Sequence, residues 1–142
     1  MSVTHHQIVV FRLGEEEYAF GVADVHEIIG PAAPRPVSSP DPWVRGIISL
    51  RGRIVPVLDL ATRLGLDREA PADHRIVIIE AQAGIAGVMV DDVVGVLTVT
   101  DDHLEEFPVT ADGGLAAVVN LGDRVIALLD RSVAVPEPVT TP

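Results

Sequence analysis

Gly46-Ile47-Ile48-Ser49-Leu50-Arg51-Gly52-Arg53-Ile54-Val55-Pro56-Val57-Leu58-Asp59-Leu60 consists of two apolar runs flanking a Gly-containing pair, Arg51-Gly52. The pattern predicts strand, two-residue turn, strand. Gly52 can take φ > 0, which a tight turn demands and a β-branched residue resists. Two arginines, Arg51 and Arg53, sit at the tip of this otherwise apolar hairpin, in a chain whose net charge is -11. A hairpin that only has to pack does not need them.

Outward from the hairpin, Asp59 is a natural N-cap for Leu60-Ala61-Thr62-Arg63-Leu64, with Gly65 as the C′ residue. Upstream, Pro31 to Pro42 contains five prolines and reads as a loop or edge strand. Trp43, the one Trp, follows and reads as an apolar plug over a barrel end. Gln7 to Leu13 and Tyr18 to Val22 read as paired strands around the polar turn Gly14-Glu15-Glu16-Glu17. The period then changes: Val22, Val25, Ile28 and Ile29 form a helical stripe, which predicts a two-turn helix ended by Gly30-Pro31. Downstream, Arg75–Glu80, Gly84–Val90 and Val96–Thr100 read as strands. Asp101 to Phe107 reads as a short acidic helix stopped by Pro108, and Leu115–Asn120 with Arg124–Asp130 as a last hairpin.

The chain repeats itself. At an offset of 68, Gln7-Ile8-Val9-Val10 falls on Arg75-Ile76-Val77-Ile78, Asp24 on Asp92 and Val25 on Val93. At 71, Leu50-Arg51-Gly52-Arg53 meets Leu121-Gly122-Asp123-Arg124, and Leu58-Asp59 meets Leu129-Asp130. In so apolar a chain the informative matches are Asp24/Asp92, Arg53/Arg124 and Asp59/Asp130. Halves of this size have marginal cores alone, so the two are expected to unfold together. Arg53, which recurs, is assigned to the fold. Arg51 does not recur; its counterpart is Gly122, which makes Arg51 the recognition candidate. Short, closely spaced strands indicate small closed barrels, a mainly β fold with short helices.

Composition bounds the function. The chain has 142 residues, no Cys, and arginine for all ten of its basic residues, with a hydrophobic fraction of 48%. The acidic balance argues against nucleic acid and anionic membrane surfaces as partners. Apolar runs are far shorter than a membrane-crossing helix requires, and Met1 to Gln7 lacks the pattern of a secretory signal. Catalytic constellations are not found. His5-His6 lacks a nearby third ligand, and His26 beside Glu27 would point away from it on a helix. His74 and His103 read as solvated, and the carboxylate pairs Asp91-Asp92, Asp101-Asp102 and Glu105-Glu106 as acidic surface. No enzyme, metal site or cofactor is expected. A protein-recognition module is, with Val25, Glu27 and Arg51 as projecting contacts.

Four segments resemble the CheW family of chemotaxis coupling proteins: Val10 to Tyr18, Val25 to Ile29, Trp43 to Leu60, and Gly87 to Val93. The third carries the specific pattern R-G-x-x-x-L-R-G-x-x-x-P-x-x-D-L, with Ser49 where the family usually has Asn. The resemblance implies two SH3-like five-stranded β-barrels, intertwined within one CheW-like domain over 6–135. The polar connector from Leu66 to Asp73, with Pro71, puts their division near 66–74, and the proline-containing, aperiodic end predicts a disordered tail at 136–142. It implies a cytoplasmic, non-catalytic adaptor recruited to membrane-associated arrays. There it links the cytoplasmic tip of chemoreceptors to the regulatory domain of the histidine kinase CheA, as a monomer in isolation and a ring component in arrays. Receptor binding then falls to Val25, Glu27, Arg51 and Gly52. Kinase binding is placed loosely at Gly87, Val88, Leu121, Gly122 and Asp123. The alternatives are a CheW-like adaptor of another chemosensory system, such as twitching motility, and a small-ligand-binding barrel.

Overall fold

Runs such as Ile8-Val9-Val10-Phe11 and Ile76-Val77-Ile78-Ile79, apolar on both faces, demand strands covered on both sides. In the computed structural model, which describes residues 4–66, 69–106 and 115–135, they have that cover. The strands are β1 (His5–Leu13), β2 (Glu16–Gly21), β3 (Val25–Ile29), β4 (Val44–Leu50), β5 (Arg53–Asp59), β6 (Arg75–Ala81), β7 (Gly84–Val90), β8 (Asp92–Thr100), β9 (Leu104–Glu105), β10 (Leu115–Asn120) and β11 (Val125–Leu129). The single α-helix among the described residues is α1 (Leu60–Arg63).

Two sheets form, one of six strands in the order β8-β1-β2-β11-β10-β9 and one of five in the order β3-β6-β7-β5-β4. The expected mainly β architecture of two units is found, with the two-residue β9 as a sixth strand on one of them. The repeat is visible in the pairing. β2 runs parallel to β11 as β7 runs parallel to β5, and β1 pairs with β8 as β6 pairs with β3. Equivalent strands therefore take equivalent places, but the first hairpin of each half lies in the sheet completed by the other half. The connector near 66–74 separates the two halves of the repeat, β1 to β5 from β6 to β11, and joins two strands of the five-stranded sheet, β5 and β6. The tail at 136–142 lies outside the described residues.

Alternation along the strands sorts side chains into three cores. Ile8, Val10, Ala19, Val99, Val119 and Ile126 fill the six-stranded unit. Val55, Val57, Ile76, Ile78 and Met89 fill the five-stranded one. Between the units lies a shared core with Phe11, Leu13 and Phe20 from one side and Val77, Ile79, Val88 and Val90 from the other. Phe11 stacks on Phe20 at 5.5 Å between ring centroids, tying β1 to β2 on the face that enters the shared core.

Two expected helices are absent. Val22–Asp24 forms one 3-10 turn, and Val25–Ile29 is strand β3, antiparallel to β6. Two turns of helix are too short to stand alone, and this segment is rich in β-branched residues facing a strand edge that needs pairing. The acidic segment likewise makes a 3-10 turn, Asp101–His103, and passes into β9; Pro108 lies outside the described residues. Trp43 is half-buried against the shared core, with the Arg63 guanidinium 4.8 Å from its ring centroid.

Candidate functional site

The β4–β5 hairpin closes as its sequence demands. Leu50 faces Arg53, and the two residues between have φ 49° at Arg51 and 80° at Gly52, a type I′ turn. Arg51 is the only non-glycine residue with positive φ among those described. A left-handed conformation costs a side-chain-bearing residue about 1–2 kcal/mol. Its counterpart in the repeat, Gly122, has φ 90° and avoids that cost.

Arg51 is held by Glu27 of β3. Its Nη1–H and Nη2–H donate to Oε1 and Oε2 at 2.5 and 2.7 Å, a fork-on-fork pair. The Arg51 side chain remains 69% exposed and that of Glu27 21%, so the pair lies open with the carboxylate as its inner member. Hydrogen bonding to Arg51 holds the Glu27 carboxyl below its ordinary range, and the same bond raises the guanidinium. At the offsets of the repeat, Glu27 falls on Gly95 and Arg51 on Gly122. The second half of the chain lacks both members of the pair.

The other polar residues of the hairpin motif serve the fold. Asp59, 3% exposed, accepts from Ala61 N–H at 3.0 Å and Thr62 N–H at 3.5 Å, capping α1 as expected. Its second oxygen takes Arg45 Nη2–H at 3.2 Å, and the same nitrogen reaches Thr62 Oγ1 at 2.9 Å. Asp130, its counterpart, accepts from Ser132 N–H at 2.8 Å and caps the last 3-10 turn. Arg53 and Arg124 each face a carboxylate on a first-hairpin strand: Glu80 on β6 at 3.7 Å and Glu17 on β2 at 2.7 Å. Gly46, φ 147°, lets the backbone at Arg35 approach; a Cβ there would stand 2.0 Å from the Arg35 carbonyl oxygen.

The sequence-derived receptor-facing residues come together in part. Glu27, Arg51 and Gly52 are adjacent, and Val25 lies two positions from Glu27, half-buried against the shared core. All belong to a strand and a hairpin, not to a helix. The kinase-facing set divides. Leu121, Gly122 and Asp123 form a turn, partly to fully exposed, in which Gly122 N–H donates to the Asn120 side chain at 3.0 Å. Gly87 and Val88 do not reach the surface: both are buried on β7, between β5 and β6, and a Cβ on Gly87 would meet Ile76 at 2.8 Å. Their apolar, strand-forming character signalled core. Sequence reasoning also missed Glu80, which lies within ion-pair reach of Arg53 and of His26.

Charge is divided unequally. Residues 4–24, 91–106 and 115–135 carry three Arg against twelve Asp and Glu, whereas 25–66 and 69–90 carry six of each. The hairpin surface thus stands on the electrically balanced unit.

A sequence profile of the CheW-like domain matches residues 7–135. The chain belongs to the CheW family. Among CheW relatives, it is 36% identical over 105 residues to the probable chemotaxis protein CheW of Rhizobium etli, an alignment covering 72% of this chain and 66% of that one. It is 30% identical over 131 residues to chemotaxis protein CheW of Thermotoga maritima, covering 91% and 87%. The crystal structure of scaffolding protein TtCheW from Thermoanaerobacter tengcongensis superposes with a TM-score of 0.81 at 34% identity, covering 89% of this chain and 90% of that one. A weaker match, 27% over 100 residues, is to protein PilI of Pseudomonas aeruginosa.

Proposed function

We propose that this CheW-family chain is a non-catalytic adaptor of chemotaxis, coupling the cytoplasmic tip of chemoreceptors to the regulatory domain of the kinase CheA. The observation that carries the reading is Arg51: a cation in a conformation costly for it, absent from the other half of the duplicated fold, and displayed on an exposed pair with Glu27. Strain of this kind persists where function requires the residue. The receptor-facing surface is then Val25, Glu27, Arg51 and Gly52, and the exposed Leu121–Asp123 turn belongs to the kinase side. Binding two partners at once raises their effective concentration and lets receptor state bias the kinase. The site of action is cytoplasmic, at membrane-associated arrays; no helix among the described residues is long and apolar enough to cross a membrane. The stronger matches carry chemotaxis names, which favours this reading over the twitching-motility adaptor.

The test is a reconstituted array of receptor, CheA and this chain, read out as receptor-dependent kinase activity. Arg51→Glu and Arg51→Gly are expected to abolish coupling. Arg51→Gly also gives the turn its preferred residue, so its folding stability should stay close to that of the parent, the loss of an exposed ion pair being offset by relief of φ strain. Kinase activity indifferent to the presence of the chain refutes the adaptor reading.

A further inference from the structure

We propose that His26 makes the charge of the Arg51 surface, and hence its affinity for the receptor, dependent on pH. The inference rests on the receptor-facing reading above and names a regulation of that surface.

His26 is the extra residue of a β-bulge: Val25 and Glu27, on either side of it, pair with consecutive residues Ile79 and Ile78 of β6. The bulge places the ring between two carboxylates, with Nδ1 3.3 Å from Glu80 Oε2 and Nε2 3.8 Å from Glu27 Oε1. Each carboxylate also faces a guanidinium, Glu27 that of Arg51 and Glu80 that of Arg53. The charged groups around the ring are therefore Glu27 on its own strand, Glu80 on β6, and Arg51 and Arg53 on the hairpin. With a neutral imidazole these four charges cancel. Histidine as a residue type changes charge between pH 5 and 8. Glu27 stays ionised through that window, because its bond to Arg51 lowers its carboxyl.

Protonation puts a positive charge 3.3 Å from Glu80 Oε2 and 3.8 Å from Glu27 Oε1, within ion-pair reach of both. Glu27 Oε1 is also the oxygen that accepts from Arg51 Nη1–H. The imidazolium offsets part of the Glu27 charge, which weakens its hold on Arg51 and leaves the guanidinium more available to an acceptor on the partner. Acidification thus tightens binding, by about threefold for one exposed pairing.

The probe is the cytoplasmic hairpin fragment of a chemoreceptor from the same genome, titrated calorimetrically at pH 5.5 and 8 against the intact chain and His26→Gln. The parent is expected to bind about threefold tighter at the lower pH relative to His26→Gln, which removes any titration of the receptor itself. An identical pH dependence in His26→Gln overturns the proposal. A partner-free measurement separates the two readings: NMR spectra of the free chain at pH 5.5 and 8 should show the Arg51 Nε–H signal moving with pH in the parent and not in His26→Gln. An Arg51 signal indifferent to His26 sinks the switch even if the receptor binds. Absence of receptor binding at both pH values, with the coupling intact, sinks the receptor reading instead.

Discussion

Because each sheet is completed by strands from the opposite half of the chain, damage inside one unit should be felt at once in the other. Ile126 provides the test. It is fully buried in the core of the six-stranded unit. Ile126→Ala removes three carbons, a transfer loss of roughly 2.5 kcal/mol, and a residual cavity adds roughly 1–1.5 kcal/mol. The total, about 3.5–4 kcal/mol, corresponds to a fall in Tm of about 12–13 °C for a chain of this size. The reporter is Trp43, the single Trp, which lies beside β4 of the other sheet. Its fluorescence transition should move by the same amount as the far-ultraviolet circular dichroism transition, both remaining single. A Trp43 transition that stays at the parent midpoint while the dichroism falls would refute the coupling of the two units.

Three further outcomes follow from local geometry. Gly46→Ala, which drives a Cβ to 2.0 Å from a backbone oxygen, should cost at least about 3 kcal/mol in urea denaturation, since backbone must shift to accommodate it. Asp59→Ala should cost about 1–2 kcal/mol through loss of the α1 cap, and Asp59→Asn less, because its side-chain oxygen still caps. Glu17 is held below its ordinary carboxyl range by its hydrogen bond from Arg124, and Asp101 by its bond from His6. A carboxyl with a depressed folded value contributes stability above its unfolded value and loses it as the pH falls through the folded one. Acid unfolding should therefore become less steep in Arg124→Gln, a comparison made by denaturant midpoints below the unfolded carboxyl range.

Much of this architecture is legible in the residues. The Arg51-Gly52 turn, the Asp59 cap and the assignment of the recurring Arg53 and Arg124 to the fold are local or repeated features, which sequence carries well. The β3 segment is not. Its apolar spacing fits a helix because the bulge at His26 breaks strand alternation, and the edge of β6 that captures it lies some fifty residues away. Arg51 could be singled out from its lack of a counterpart. Its partner Glu27 and the neighbouring Glu80 come together only through closure of the five-stranded unit. The exchange of hairpins is equally silent in sequence, since a duplicated pattern does not say which copy of a neighbour a strand will choose.

That exchange also sets an order of events as the chain is made. All strands of the five-stranded unit lie between Val25 and Val90, whereas the six-stranded unit is built from segments before and after them. The inner unit has all its strands while the outer one still lacks β8 to β11. The β1–β2 hairpin, carrying Phe11 and Phe20, emerges first yet waits for Leu129 before its own sheet is complete. At ribosomal speeds that wait is roughly 5–20 s. During it, the growing inner unit, through Val77, Ile79 and Val88, is the cover the chain itself supplies for those two aromatic rings.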